Sequence, residues 1–343
     1  MNLEYDADEA DLLRQAGELF EHVAPVPSSG REAPPDVWAA LTGADLADVG
    51  AAVGRQEFSW PMAVDLSRRA GRQLLGEQFT SSAYALPALS VAVAGSGSSR
   101  ALAARLRERP GVLLGDGRTR MVPVLADTDC AGTCFGDVGR SDIYRIVGAG
   151  DSLSLQRWIG ESPAVLPLAG LSPSIADVRV DMARGDWAGV RLDGGEAMVA
   201  RLEAELRLVH SAALVGCAER LLEITRDHVR RRVQFGVPIG SFQAVKHGLA
   251  DVCTALVVAW NAIISAAAQG PQTSIALLAA RLLAVDAALS AARAGAQFHG
   301  GIGYTAEANV HLFLKAILDG AQRGGTPDDT AIELGRRYAA SAC

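Results

Sequence analysis

The chain has 343 residues, of which 49% are hydrophobic and 21% charged. This globular composition excludes a wholly disordered chain, and the length allows two or three domains. Acidic residues outnumber basic ones, 39 against 32, for a net charge of −7, which argues against a general nucleic-acid surface because that needs clustered positive charge.

The predicted elements begin with an amphipathic helix over 8–22, where Leu12, Leu13, Ala16, Leu19 and Phe20 share one stripe. A Pro/Ser/Gly loop over 25–35 follows, then a short helix through Trp38 and Leu41 with Asp36 as its N-cap. Another helix is predicted over 62–78, and the Gly95-Ser96-Gly97-Ser98-Ser99 run reads as a turn. From about 111 to 197 short apolar runs (111–114, 120–125, 142–147, 152–158, 175–180) alternate with Gly, Asp and Pro, the pattern of a small all-β unit. Beyond residue 198 long helices return. A first is predicted over 198–231, and two heptad-like helices follow with Gly270-Pro271 between them. Phe242, Val245, Leu249, Val252, Leu256, Ala259 and Ile263 follow one 3/4 spacing; Ile275, Leu278, Leu282, Val285, Leu289 and Ala292 follow a second. Such spacing predicts a helical bundle. The domains expected are therefore 1–110 (helical), 111–197 (β) and 198–343 (helical bundle), an α+β multidomain chain.

The acidic start MNLEYDADEADLL has no apolar h-region, and the odd, scattered set Cys130, Cys134, Cys217, Cys253 and Cys343 suits reduced thiols. A cytoplasmic protein is expected. The stretch 255–268 is broken by Asn261 and Ser265, and 274–294 carries Arg281, Asp286 and Arg293, so neither is read as a membrane span. Cys130 and Cys134 with their neighbouring aspartates read better as a plain loop than as a metal site, because zinc ligands come in tighter pairs with a second pair elsewhere. His210 and His228 on the long helix read as surface or interface histidines, Arg207 reads equally as a solvated helix arginine or as one facing a ligand cleft, and Trp38, Trp60, Trp158, Trp187 and Trp260 show no stacking pattern and read as core or interface.

Two segments ask for more than packing. Residues 230–243 (RRRVQFGVPIGSFQ) leave one helix and start the next through a Gly/Pro turn, with Ser241 available as a cap. Three arginines at a helix C-terminus are favoured by the macrodipole. Arg232 also offers a planar donor fork for a pyrophosphate, Gln234 and Gln243 offer amides, and Phe235 a flat apolar face. Together these suit an adenosine diphosphate group. The second segment is Gln297-Phe298-His299-Gly300-Gly301-Ile302-Gly303-Tyr304, where Gly300 and Gly301 permit close backbone approach or a positive φ. No strand precedes it, so it is not a dinucleotide-binding fingerprint.

The R-x-Q-F-G…F-Q pair followed by Q-x-H-G-G-x-G-Y strongly resembles the C-terminal helical domain of the acyl-CoA dehydrogenases. The layout of a helical domain, a β domain and a four-helix C-terminal bundle resembles that family over nearly the whole chain, and 65–74 with Gly71-Arg72 looks like the family's E-L-G-R-like helix end. The resemblance implies FAD as cofactor. It assigns Arg232 to the pyrophosphate and Gln243 and the Gln297–Gly300–Gly301 loop to the ADP half, in a site mostly bound by a neighbouring subunit. It also implies an acyl-CoA substrate and electron-transfer flavoprotein as acceptor.

The chain departs from the family twice. It lacks the T-E-P…G-S-D-like stretch that wraps the flavin ring, and the family's spacing puts Gly324 where the catalytic glutamate stands. In relatives with a glutamate on the first bundle helix the matching residue is Leu206, with Glu205 adjacent but turned about 100° around the helix; Asp319 is the nearest carboxylate before Gly324. The catalytic residue is thus unassigned, with Glu205 and Asp319 as weak candidates, and no metal is expected. Keeping the ADP contacts while losing ring contacts and base resembles the non-catalytic subunit of heteromeric acyl-CoA dehydrogenases. There a homologous subunit carrying the glutamate is the partner, in a heterotetramer acting on steroid side-chain or other bulky acyl-CoAs. Two alternatives stay open: a self-sufficient homo-oligomer with a relocated base, and a flavin-free structural subunit. No nucleic-acid or membrane partner is expected.

Overall fold

A computed structural model describes residues 5–23, 37–76, 79–93, 95–113, 124–125, 131–134, 142–159, 165–167, 178–181, 186–270, 274–305 and 308–341. The N-terminal helices are α1 (Ala7–Val23), α2 (Val37–Gly43), α3 (Val49–Gly54) and α4 (Trp60–Arg72). The predicted stripe of α1 is the one that buries, through Leu13, Ala16 and Phe20. Asp36, the expected cap of α2, lies outside the described residues. Helix α4 starts with Ser59 accepting the Met62 N–H at 3.3 Å. It stops at Arg72, well short of the predicted residue 78, because the chain turns left-handed at Leu74 (φ 61°). A π-helical segment (Phe79–Ala85), α5 (Leu86–Val91) and α6 (Ser96–Glu108) follow. The glycine–serine run read as a turn is instead the start of α6: Gly95 (φ 83°) is its N-cap and Ser96 its first residue. Small polar residues serve a helix start as readily as a turn.

The middle region contains β1 (Gly111–Leu113), β2 (Val124–Leu125), β3 (Ala131–Cys134), β4 (Asp142–Val147), β5 (Ser154–Ile159), β6 (Val165–Pro167), β7 (Val178–Asp181) and β8 (Asp186–Arg191). One sheet runs β1-β4-β5-β8, with β2 also on β4; the other runs β3-β7-β6. Strand β3 replaces the loop expected before Cys134, while Cys130 lies outside the described residues. Among the described residues no His/Cys/Asp/Glu group could hold a metal. Strand β8 escaped prediction because it is an edge strand with mostly exposed, unpatterned side chains. Its register with β5 sets Trp187 opposite Trp158. The two rings meet edge to face at 5.2 Å, and the Arg145 guanidinium covers Trp187 at 4.1 Å, so these tryptophans do have stacking partners.

The C-terminal part is built on α7 (Gly195–Arg231), 37 residues long and about 55 Å at 1.5 Å per residue. Around it lie α8 (Gln243–Ala268), α9 (Ile275–His299), α10 (Val310–Gln322) and α11 (Pro327–Ser341). In α8 the predicted seam is buried at Val252, Leu256, Ala259 and Ile263 but not at Phe242, Val245 or Leu249. By length and composition two helices, Gln243–Ala268 and Ile275–Gly303, could cross a membrane; here they lie against each other and α7 as bundle members. Helices α4 and α7 cross at backbone contact. A Cβ on Gly71 would strike the Ala213 carbonyl, and one on Gly216 the Arg68 carbonyl. Around this crossing Arg68 holds Glu219 at 2.7 Å and Arg72 holds Glu223 at 2.8 Å, while the Arg68 guanidinium lies over Trp260 at 4.3 Å.

Candidate functional site: a cationic helix end and a buried glycine turn

Helix α7 ends with Arg230 and Arg231, and Arg232 is its C-cap, its N–H reaching the His228 carbonyl at 2.8 Å. The chain then forms a hairpin of β9 (Val233–Gln234) and β10 (Val237–Pro238), with Gln234 paired to Val237. Both connecting residues have positive φ, Phe235 at 54° and Gly236 at 80°, as a two-residue primed turn requires. Glycine meets that demand freely, whereas a phenylalanine there costs about 1–2 kcal/mol. Its ring is 91% exposed and meets only the edge of Phe242, at 6.1 Å. The local strain thus serves to present an aromatic face outward. Ser241 does not cap α8. Its hydroxyl donates to the Pro238 carbonyl at 2.7 Å inside a 3-10 turn (Ile239–Ser241), and Phe242 is the N-cap. Arg232, Gln234, Phe235 and Gln243 are all exposed.

The second segment closes α9. Gly300 is the C-cap at φ 58°, ψ −143°, a backbone conformation essentially reserved for glycine. A Cβ at Gly300 or Gly301 would meet nothing within 4 Å, so the backbone here is open to an approaching group. Gln297 is exposed. The two segments touch through an imidazole pair that sequence reading had left as separate histidines: His228 of α7 stacks on His299 of α9, centroids 4.2 Å apart and 26° from parallel. Burial pushes His299 below its ordinary pKa. Burial, then the charges of His299, Arg232 and Arg231, push His228 down as well. Both shifts favour the neutral imidazoles and leave the positive charge on the arginines.

An exposed guanidinium fork, carboxamides, one flat apolar face and unobstructed glycine backbone form a donor set that fits a diphosphate and its nucleoside. It does not supply a base or enclose a flavin ring.

The turn at Gly324, where the resemblance implies a base, is different in kind. Gly324 is buried at φ 72°, just after α10, and its carbonyl accepts from Arg207 at 3.4 Å. Arg207 also faces Glu333 at 3.3 Å and Glu203 at 3.8 Å, so it is a held residue rather than a solvated one. Arg281, 3% exposed, donates to the carbonyls of Gly320 (2.8 Å) and Arg323 (2.9 Å) and lies 3.3 Å from His210 Nδ1. His210 is therefore a core histidine, not a surface one. Arg323 holds Asp319 at 2.9 Å, which removes Asp319 as a free carboxylate. Arg207 of α7, Arg281 of α9 and Arg323 at the C-cap of α10 thus fix this turn. The sequence signal for it was Arg281, a cation within the otherwise apolar stretch 275–285 of α9.

Glu205, the other carboxylate candidate, is 7% exposed. It accepts from the Tyr84 hydroxyl at 3.4 Å and pairs with Arg201 at 3.4 Å. Burial pushes its carboxyl up against the smaller opposing pulls of Arg201 and Tyr84. It is bound to the π-helical segment, which carries Tyr84.

Residues 193–333 match the family model described as acyl-CoA dehydrogenase, C-terminal domain. Acyl-CoA dehydrogenase IpdE2 of Mycobacterium tuberculosis is 36% identical over 197 residues, which is 57% of this chain and 58% of that relative. The match therefore spans less than two thirds of the relative's length. Among solved structures, the ChsE4–ChsE5 complex from Mycobacterium tuberculosis has a chain of the same fold, with TM-score 0.77 and 22% identity over 99% of both chains. A variant of the Tcur3481–Tcur3483 steroid ACAD gives TM-score 0.75 and 20% identity over 98% of each. Residues 193–333 are thus similar to the acyl-CoA dehydrogenase C-terminal domain, and the chain has the fold of these solved structures from end to end.

Proposed function

We propose that this chain is an acyl-CoA dehydrogenase subunit that completes a FAD site across a subunit interface, while a homologous partner supplies the flavin-ring pocket, the acyl-CoA cleft and the glutamate. One observation carries this reading: the arginine-rich end of α7 and the glycine turn after α9 stand open, while the base position is a glycine tied down by Arg207. FAD, when bound, supplies the hydride acceptor for α,β-desaturation of an acyl thioester. The chain's own part is to bind. Arg232 would hold the diphosphate, Gln234, Gln243 and Gln297 would give amide contacts, Phe235 would offer an apolar face, and Gly300 and Gly301 would let the backbone come near.

A positioned base is worth roughly 10²–10⁴-fold in rate, so this chain alone is a poor desaturase. Glu205 and Asp319 do not relieve that lack, since each already serves a buried partner. The named assemblies among the structural neighbours, a ChsE4–ChsE5 complex and a two-component steroid ACAD, favour a heteromer acting on a bulky acyl-CoA of the steroid side-chain kind, with electron-transfer flavoprotein as acceptor. The test is to express the chain alone and with a glutamate-bearing homologue, and to follow flavin absorbance and mass by light scattering. Flavin and a tetramer only with the partner are expected. A yellow homo-oligomer that turns over acyl-CoA unaided would overturn the reading.

A further inference from the structure

The stacked imidazoles have no part in the proposed function so far, yet they join the two segments it uses. His299 is buried, and its Nδ1 lies 3.0 Å from the Gly295 carbonyl. That carbonyl can only accept, so Nδ1 carries the hydrogen and Nε2 is the nitrogen left to take a proton. His228 lies one helical turn before Arg232 on α7, so the two side chains leave the same side of the helix end.

The groups acting on His228 are His299 from α9 and Arg231 and Arg232 from its own helix. Asp227 beside it pairs with Arg226 at 3.4 Å. The 3-10 turn 239–241, packed on the end of α7, has no ionisable side chain. Helix α8 brings Lys246 and His247, both exposed, near its start, and α10 brings His311, whose Nδ1 is engaged by the Ala308 carbonyl at 3.0 Å. Apart from Asp227, whose charge Arg226 meets, every group named is cationic or neutral. A proton on the pair is therefore opposed until an anion lies among the arginines.

We propose that the His228–His299 stack is a proton-linked part of the anion cradle, so that a diphosphate diester at Arg232 is held more tightly when the pair carries a proton. This rests on the FAD-site reading and adds a pH dependence to it. Linkage makes the coupling reciprocal: whatever the anion adds to proton affinity, the proton adds to anion affinity.

The test is calorimetric titration of ADP-ribose into the flavin-stripped chain assembled with its partner, at about pH 7.5 and about pH 5.5. The diester keeps both negative charges across that range. Binding roughly five- to tenfold tighter at the lower pH is expected, with proton uptake read from the dependence of the heat on the buffer. His228→Gln and, separately, His299→Gln should bind ADP-ribose with that pH dependence reduced or gone. Equal affinity at both pH values without proton uptake overturns this inference and leaves the FAD-site reading standing. No ADP-ribose binding at either pH overturns both.

Discussion

At the scale of single residues, the proposed subunit role separates places that would bind from places that would react. Gly324 is the clearest case. Its positive φ and its carbonyl bond to Arg207 mean that restoring a glutamate there does not restore a base. Gly324→Glu should destabilise the chain by about 1 kcal/mol or more, because a β-carbon is forced into the left-handed region. Denaturant midpoints would check this, and turnover of acyl-CoA by the variant alone should stay absent. Glu205 gives a second prediction, from its buried carboxyl. Its pKa is raised in the folded chain, chiefly by burial. A raised acid contributes stability below its unfolded pKa and loses it as pH rises through the folded one. Glu205→Gln, whose amide oxygen can still accept from Tyr84, should therefore raise the melting temperature near pH 7 and change little near pH 4. A lower melting temperature at pH 7 would mean that Arg201 outweighs burial. Arg232, Gln243 and the Gln297 loop could be named as candidates at this scale because they belong to contiguous motifs, and the structure shows Arg232, Gln243 and Gln297 exposed. The Arg207–Arg281–Arg323 clamp was not legible. Its members come from three helices, and only the fold brings them to one turn.

At the scale of elements, legibility followed length and period. Helices α8 and α9 repeat a 3/4 apolar spacing over many turns, so their course could be read directly. The edge strand β8 and the serine-rich start of α6 have no such repeat, and short segments of that kind are decided by the neighbours they meet. The α4–α7 crossing shows what a motif can conceal. Gly71 and Gly216 look permissive in sequence, but each lets one helix backbone rest on the other. Gly71→Ala and Gly216→Ala should each cost about 1–3 kcal/mol by overpacking a site where backbone, not a flexible side chain, stands in the way. Gly335→Ala on α11, where a Cβ meets nothing within 4 Å, should be neutral or slightly stabilising. Equal melting temperatures for the three variants would show that the crossing can separate without cost.

At the scale of the whole molecule, the described surface of the bundle carries an apolar face that the proposed partner would cover. The most apolar window of α8 has mean hydropathy 1.7 yet is only 33% buried. Val257 and Val258 lie exposed on it, as do Phe235 on the hairpin and Leu283 on α9. Burying a largely exposed valine contributes on the order of 1 kcal/mol, so a partner covering this face gains from each side chain in turn. A bilayer would gain too, but α8 is tied along its other face to α7 and α9 by Val252, Leu256, Ala259 and Ile263 and could not leave without opening the core. The subunit reading therefore predicts that Val257→Asp with Val258→Asp abolishes assembly, seen as a fall in mass by light scattering. Helical content by circular dichroism should be unchanged, because neither side chain enters the core. Flavin retention should fall along with assembly, since the cationic end of α7 would then have no partner's cofactor to hold. Assembly and flavin retained in that variant would mean the face stays bare and the interface lies elsewhere on the bundle.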